Sequence, residues 1–200
     1  MTVTRERTTL IKTLHREALR THVLDPEEWE GKYAFEVEKG NHHHGYTALI
    51  FSTLQVAAIR HFSPRCSLGD IIRYVADLRM LLAEHADMLN PGLAEKTIRS
   101  LLGDVTLKET PPFGASPEDI VGTALLLLSS LIAEAGLDES GVDALINEAA
   151  ENARQSVWSS ASAGESAGSP QESGRNAAGA TRAGSAEEPS RDADGAWKES

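Results

Sequence analysis

One stretch of the sequence, residues 40–59, contains no Asp, Glu, Lys or Arg. From Tyr46 onward, its apolar residues cover almost every face of a helix, and a helix of this kind has to be enclosed by other elements. Pro64 follows shortly afterwards, and the residue before a proline disfavours the helical conformation. The sequence therefore predicts a buried central helix over residues 46–62, with the rest of the chain arranged around it.

A second charge-free apolar run covers residues 120–133. Ser116 and Pro117 precede it as a helix-start signal, because serine is a favoured N-cap and proline is tolerated in the first helical turn. We expect a helix over residues 117–135 that packs against the central helix, with Leu54 and Leu126 in the shared core. Each apolar run is shorter than the roughly 20 residues that span a bilayer, so no membrane segment is predicted.

The other helices are predicted from start signals and from apolar residues at helical spacing. Residues 4–23 have the pattern of an amphipathic helix that covers one side of the core. Further helices are expected to begin after Asp25, Ser67, Asn90 and Asp138. Together, these patterns predict an all-α fold, an irregular bundle of five to six helices.

The helix after Ser67 is predicted to bury one apolar stripe against the bundle. Arg73 and Asp77, four residues apart, are expected to form an ion pair on its solvent side. The predicted buried stripe consists of Ile71, Ile72, Val75, Leu78, Leu82 and Ala86.

Residues 32–39 are ambiguous between a strand and a helix. Tyr33 and Val37 fit a two-residue alternation and also, together with Trp29, a four-residue repeat. We favour an extended segment, since glycines bracket it. Its partner would be residues 105–109, where apolar and polar residues alternate. A two-stranded ribbon alone is marginal, so one short β ribbon is predicted only as an addition to the helical bundle.

The last part of the chain, residues 159–200, contains no Leu, Ile, Val, Phe or Met. Such a segment cannot bury enough apolar surface to offset the entropy lost on ordering. We therefore predict two parts, a helical domain over residues 1–158 and a disordered, low-complexity acidic tail over residues 159–200.

The composition limits the partners and the compartment. A net charge of −11 disfavours nucleic acid as a partner, because binding phosphate requires clustered Lys and Arg. Cys66 is the only cysteine, which rules out an intrachain disulfide and fits a reducing compartment. The N-terminal residues lack the pattern of a signal peptide. We therefore expect a cytoplasmic protein whose partner is another protein, with its oligomeric state open.

Three consecutive histidines, His42, His43 and His44, form the only histidine cluster in the sequence, and Glu36 and Glu38 lie just upstream. Imidazole and carboxylate ligands suit zinc or another divalent ion. Adjacent side chains on a helix diverge by about 100°, however, so at most two of the three could converge without a loop folded around the ion. We expect loop histidines that supply hydrogen bonds and local pH sensitivity. A metal-binding protein or metalloenzyme that uses this cluster is kept as an alternative, and no cofactor is predicted.

Cys66 precedes the expected helix start at Ser67, and a thiol near a helix N-terminus can have a lowered pKa and act as a nucleophile. His61 could assist it. The sequence contains no recognisable oxyanion-hole signature or orienting acid. No catalytic residue is therefore assigned.

Residues 67–102 have the pattern of two helices joined by a turn, which makes a helix-turn-helix-like DNA-binding regulator a further alternative. Its second helix would present four polar residues outward, Glu95, Lys96, Arg99 and Ser100. The mixed charge of that face is a poor match for phosphate. The hypothesis we favour is a non-catalytic cytoplasmic protein-interaction or regulatory module.

Overall fold

The structure is a computed structural model that describes residues 11–38, 42–62 and 66–165, with side chains up to Arg154. The described residues form eight α-helices and one 3-10 helix, and no strand occurs among them. The α-helices are α1 (Thr13–Leu24), α2 (Pro26–Lys32), α3 (Ala34–Glu38), α4 (His42–His61), α5 (Leu68–Leu82), α6 (Pro91–Leu101), α7 (Pro117–Glu134) and α8 (Glu139–Glu165), and the 3-10 helix, Ala83–Met88, follows α5.

The predicted helix starts are confirmed by hydrogen bonds at the caps. In each case a short side chain accepts the backbone N–H of the residue three positions further on, which is the usual N-cap contact. The donor–acceptor distances are 2.9 Å for Asp25, 3.3 Å for Ser67, 3.1 Å for Asn90, 3.0 Å for Ser116 and 2.8 Å for Asp138.

The central position of α4 is also confirmed. It packs against α1, α3, α6, α7 and α8. Leu49, Ile50 and Leu54 are fully buried along it. In α7, Ala124, Leu127 and Leu128 are fully buried, whereas Leu126 is only partly buried. Across the described ranges, no helix combines the length and the apolar character needed to cross a membrane.

The prediction of an extended segment over residues 32–39 is wrong for residues 32–38, and residue 39 lies outside the described residues. The amide of Tyr33 donates to the carbonyl of Trp29, and the amide of Val37 donates to the carbonyl of Tyr33, both at 2.9 Å. Tyr33 and Val37 are buried. The four-residue repeat therefore prevails because it places these side chains on the same inward face of a helix. Residues 105–109 form turns and irregular structure, so the β ribbon is not found in the described residues.

Helix boundaries differ from the predicted ones by several residues at three places. The central helix, α4, begins at His42 and not at the predicted residue 46. The first helix begins at Thr13 because Lys12 has an extended backbone, with φ −102° and ψ 167°; residues 1–10 lie outside the described part of the chain. The last helix, α8, continues to Glu165. It therefore runs past the predicted domain boundary at residue 158. Residues 166–200 lie outside the described residues, so the disordered tail stays a prediction.

The predicted stripe of α5 is confirmed for three of its six residues. Leu82 and Ala86 are only partly buried, and Ala86 lies in the 3-10 helix after α5. Ile71, Val75 and Leu78 are buried, and Tyr74 joins them, donating a 3.0 Å hydrogen bond from its hydroxyl to the Ser130 hydroxyl on α7. Ile72 was predicted in the same buried stripe, but its side chain is 48% exposed. One residue along a helix turns the side chain by about 100°, and this rotation carries Ile72 out of the core.

Candidate functional site

The histidine cluster lies in the first turn of α4, so the prediction that His42, His43 and His44 are loop residues is wrong. The helix continues through Gly45, which costs a helix interior only about 1 kcal/mol relative to alanine. His43 and His44 are exposed, and their rings meet edge to face with centroids 6.0 Å apart. Only His42 turns toward the bundle.

His42 contacts a buried histidine on α1 that the sequence did not single out. Nδ1 of His15 accepts the backbone N–H of Lys12 at 3.2 Å, so the proton of the neutral His15 ring is on Nε2. That nitrogen lies 3.3 Å from Nδ1 of His42 and donates to it. Burial, followed by the charges of His42 and Lys12, lowers the pKa of His15. The pair therefore ties the start of α1 to the start of α4 while His15 is neutral.

The metal-site alternative finds no converging ligand set in the described part of the chain. Glu36 is exposed on α3, and Glu38 is the last residue of that helix. No group of three or more His, Cys, Asp or Glu side chains among the described residues is placed to hold a metal ion. The contacts shown for the cluster are the hydrogen bond from His15 to His42 and the ring contact between His43 and His44. Metal binding by His42–His44 stays an untested alternative.

Cys66 lacks the environment of an activated thiol. Its sulfur donates to the backbone carbonyl of Ser67 at 3.4 Å. Burial, and then the charge of Asp70, raises the pKa of the Cys66 thiol, which is the opposite of the shift that activates a nucleophile. Nε2 of His61 lies 3.7 Å from a carboxylate oxygen of Glu134. These contacts supply no support for a catalytic thiol.

The helix pair α5 and α6 presents few cations to a phosphate backbone. Lys96 lies 2.7 Å from Glu109, and Arg99 contacts Glu95 at 3.2 Å and Asp104 at 2.8 Å. Hydrogen bonds from Thr106, and then from Arg99, lower the pKa of Asp104 to about 2. A nucleic acid would have to displace these carboxylates before it could use either cation.

A cleft of about 960 Å³ opens between α6, α7 and the 3-10 helix. Phe113 at its edge has φ 58°, a region that bulky residues rarely adopt. The charged residues in its lining are the acids Asp87, Glu118 and Asp119 and one base, Lys96, which already contacts Glu109. The cleft supplies volume, but no specific chemistry follows from this lining.

The outward face of α5 carries a row of apolar side chains at four-residue spacing, and residues at this spacing lie on one side of a helix. The row consists of Leu68, Ile72, Ala76 and Met80, and we call it the α5 surface. The exposed fractions of Leu68, Ile72 and Met80 are 46%, 48% and 71%. The opposite face of the same helix is buried. Thus α5 has two apolar faces, and only one of them is buried in the fold.

A pocket of about 350 Å³ adjoins the N-terminal end of the α5 surface, and Leu68 belongs to both. Its apolar lining continues onto the end of α4, where Ile59 is exposed. Phe62, Ile71 and Leu102 complete the apolar part of the wall. A pocket beside an exposed apolar row is the setting in which a partner's large side chain can be anchored.

Comparison with known proteins adds no further constraint, since no protein-family model, curated protein or solved structure matches the chain. The fold and the surface alone define the class, a helical bundle with one apolar helix face directed to solvent.

Proposed function

We propose that this chain is a non-catalytic protein-interaction module that binds its partner through the α5 surface. The observation that carries the proposal is the exposure of Leu68, Ile72 and Met80 along one outward helix face. Contiguous apolar groups on the outside of a folded chain are typical of interaction sites, whereas scattered single ones are not. We place the protein in the cytoplasm on the basis of its single cysteine, Cys66.

The energetic argument follows from the hydrophobic effect. A partner that covers the α5 surface removes apolar area from water, which is favourable by roughly 25 cal/mol per Å² before the costs of association are subtracted. α5 is already held in place by its buried face. Binding therefore orders only side chains and not the helix, which keeps the entropic cost of association low.

The test compares two substitutions in the full-length protein. The protein is used as bait, the retained partner is identified, and the purified pair is measured by isothermal titration calorimetry. We expect Ile72→Glu to weaken binding at least about tenfold, since it places a charge in a desolvated interface. Val105→Glu is the matched control, because Val105 is 95% exposed and lies in the loop after α6.

Val105→Glu should leave the dissociation constant within about twofold of the wild-type value, as expected for a site outside the interface. Circular dichroism of both variants checks that the helices are retained. Unchanged affinity in Ile72→Glu, or equal losses in the two variants, would show that the partner binds elsewhere.

A further inference from the structure

Two opposite charges lie along one side of the apolar row of α5. One precedes the midpoint of the helix and the other follows it. Arg73 and Asp77 are both exposed. The sequence predicted an ion pair between them, but Arg73 instead lies 3.6 Å from Asp70. Within the described part of the chain, the Asp77 carboxylate has no salt-bridge partner. α5 therefore presents an apolar row, a cation and an unpaired anion on the same outward side.

We propose that the α5 surface binds a second copy of this chain, with the two α5 helices packed antiparallel about a twofold axis. This inference rests on the proposed function and names the partner. It requires that the surface be complementary to itself, because a twofold interface uses the same patch on both subunits.

The order of residues along α5 meets that requirement. An axis level with residues 74–75 places Leu68 opposite Met80 of the second copy, and Ile72 opposite its Ala76. Each Arg73 then lies beside Asp77 of the other copy, so that two equivalent ion pairs form. The small side chain of Ala76 leaves room for Ile72 across the axis.

The charges also select the antiparallel arrangement. In a parallel pair, Arg73 would face Arg73 and Asp77 would face Asp77, and like charges across an interface cost binding free energy. Asp70, Arg73 and Asp77 together give this face a net charge of only −1, so a strongly basic or strongly acidic partner gains little from it. An identical face, turned end for end, complements the apolar row and both charges at once.

The net charge of the whole chain, −11, opposes association of two copies. At physiological ionic strength the Debye length is about 8 Å, which screens most of this long-range repulsion but acts less on charges in contact. We therefore expect the dimer to form at physiological salt.

The test is sedimentation velocity of the full-length protein over a range of concentrations at physiological ionic strength. We expect a reversible monomer–dimer equilibrium for the wild type. Arg73→Asp and Asp77→Arg should each weaken the dimer at least about tenfold, since each sets like charges against each other at two places. The double variant, Arg73→Asp with Asp77→Arg, should recover most of the affinity, because it exchanges the two charges.

Mixing the two single variants gives a second readout. One copy then carries two acids and the other two bases, so the heterodimer should form more tightly than either homodimer. Circular dichroism checks that each variant is folded. We expect all of them to fold, because exposed ion pairs contribute only about 0–1 kcal/mol to stability.

The inference is overturned if the wild type stays monomeric, if the dimer tolerates Asp77→Arg, or if the double variant fails to recover. Its failure can be separated from failure of the proposed function. A monomeric wild type whose binding to a different purified protein is lost in Ile72→Glu contradicts only the second copy as partner. A chain in which Ile72→Glu changes no association contradicts both.

Discussion

At the residue scale, the structure gives His15 a part that sequence reasoning did not assign. It stands at the third position of α1, where a capping box usually has a Glu or Gln that accepts the N–H of the N-cap residue. The imidazole makes that contact through Nδ1 and leaves Nε2–H for His42. Only the neutral ring can do both, because a protonated imidazole has no acceptor. The part of the histidine cluster that contacts the bundle is His42, and it does so through the buried His15.

This role predicts a pH dependence of stability. Burial lowers the pKa of His15 and of His22 below the ordinary value of 6.5. Below pH 6.5 the unfolded chain therefore takes up protons that the folded chain resists, so stability falls as the pH drops. The full stability is present above pH 6.5. Urea unfolding between about pH 7.5 and about pH 5.5 measures the loss.

His15→Gln should lose less stability than the wild type over this range, because Gln can accept the Lys12 N–H and does not titrate. His85→Gln is the control, since His85 is exposed. It should lose as much as the wild type. The same loss in all three proteins would show that His15 does not carry the effect.

At the scale of helices, the starts were predictable because their causes are local. Asp25, Ser67, Asn90 and Ser116 cap helices through contacts that span only three residues. The wrong predictions concern segments whose conformation depends on tertiary packing. Residues 32–39 fit two periodicities, and the choice depended on which side chains the bundle buries.

The α5 surface shows the same limit at the candidate site. Its four-residue repeat, Leu68, Ile72, Ala76 and Met80, is visible in the sequence, yet a second apolar stripe on the same helix has the same signal. Periodicity indicates which residues share a face, but not which face meets the core. The packing of α6 and the 3-10 helix against α5 determines which of its faces is buried.

The core of α4 gives a prediction at this scale. Leu54 is fully buried, so Leu54→Ala should lower the free energy of unfolding by about 2–5 kcal/mol through lost burial and the cavity left behind. Leu81 on α5 is 78% exposed, and Leu81→Ala should cost less than about 0.5 kcal/mol. Urea denaturation measures both. Similar values for the two variants would contradict the placement of α4 at the centre.

At the scale of the whole molecule, one enclosed helix organises the bundle, and α5 lies at its periphery. α4 contacts helices from both ends of the described chain, whereas α5 packs mainly on α6 and the 3-10 helix. A peripheral helix has a second face left for a partner. The fold class was predicted from the helical spacing of apolar residues and from helix-start signals, whereas the surface that we propose for binding followed only from the packing.

The predicted tail is tested by truncation. A chain that ends after Glu165 should keep the melting temperature of the full-length protein within about 2 °C, because residues 166–200 contain no large aliphatic side chain to pack. A chain that ends after Glu148 is the control; it loses the buried Ala149 and Ala150 and should melt lower. Differential scanning calorimetry compares the three. A clear drop on removing 166–200 would mean that the tail packs against the fold.

The central claim is that the α5 surface is covered by a partner in the cell. Photo-crosslinking tests it most directly, with a photoreactive amino acid placed at Ile72 or, as the control, at Val105 in the full-length protein. Both side chains are exposed in the fold. The proposed function predicts a specific adduct from position 72 and none above background from position 105, and the proposed dimer sets the mass of that adduct at twice the mass of the chain. Equal labelling from the two positions, or no adduct from position 72, would contradict it.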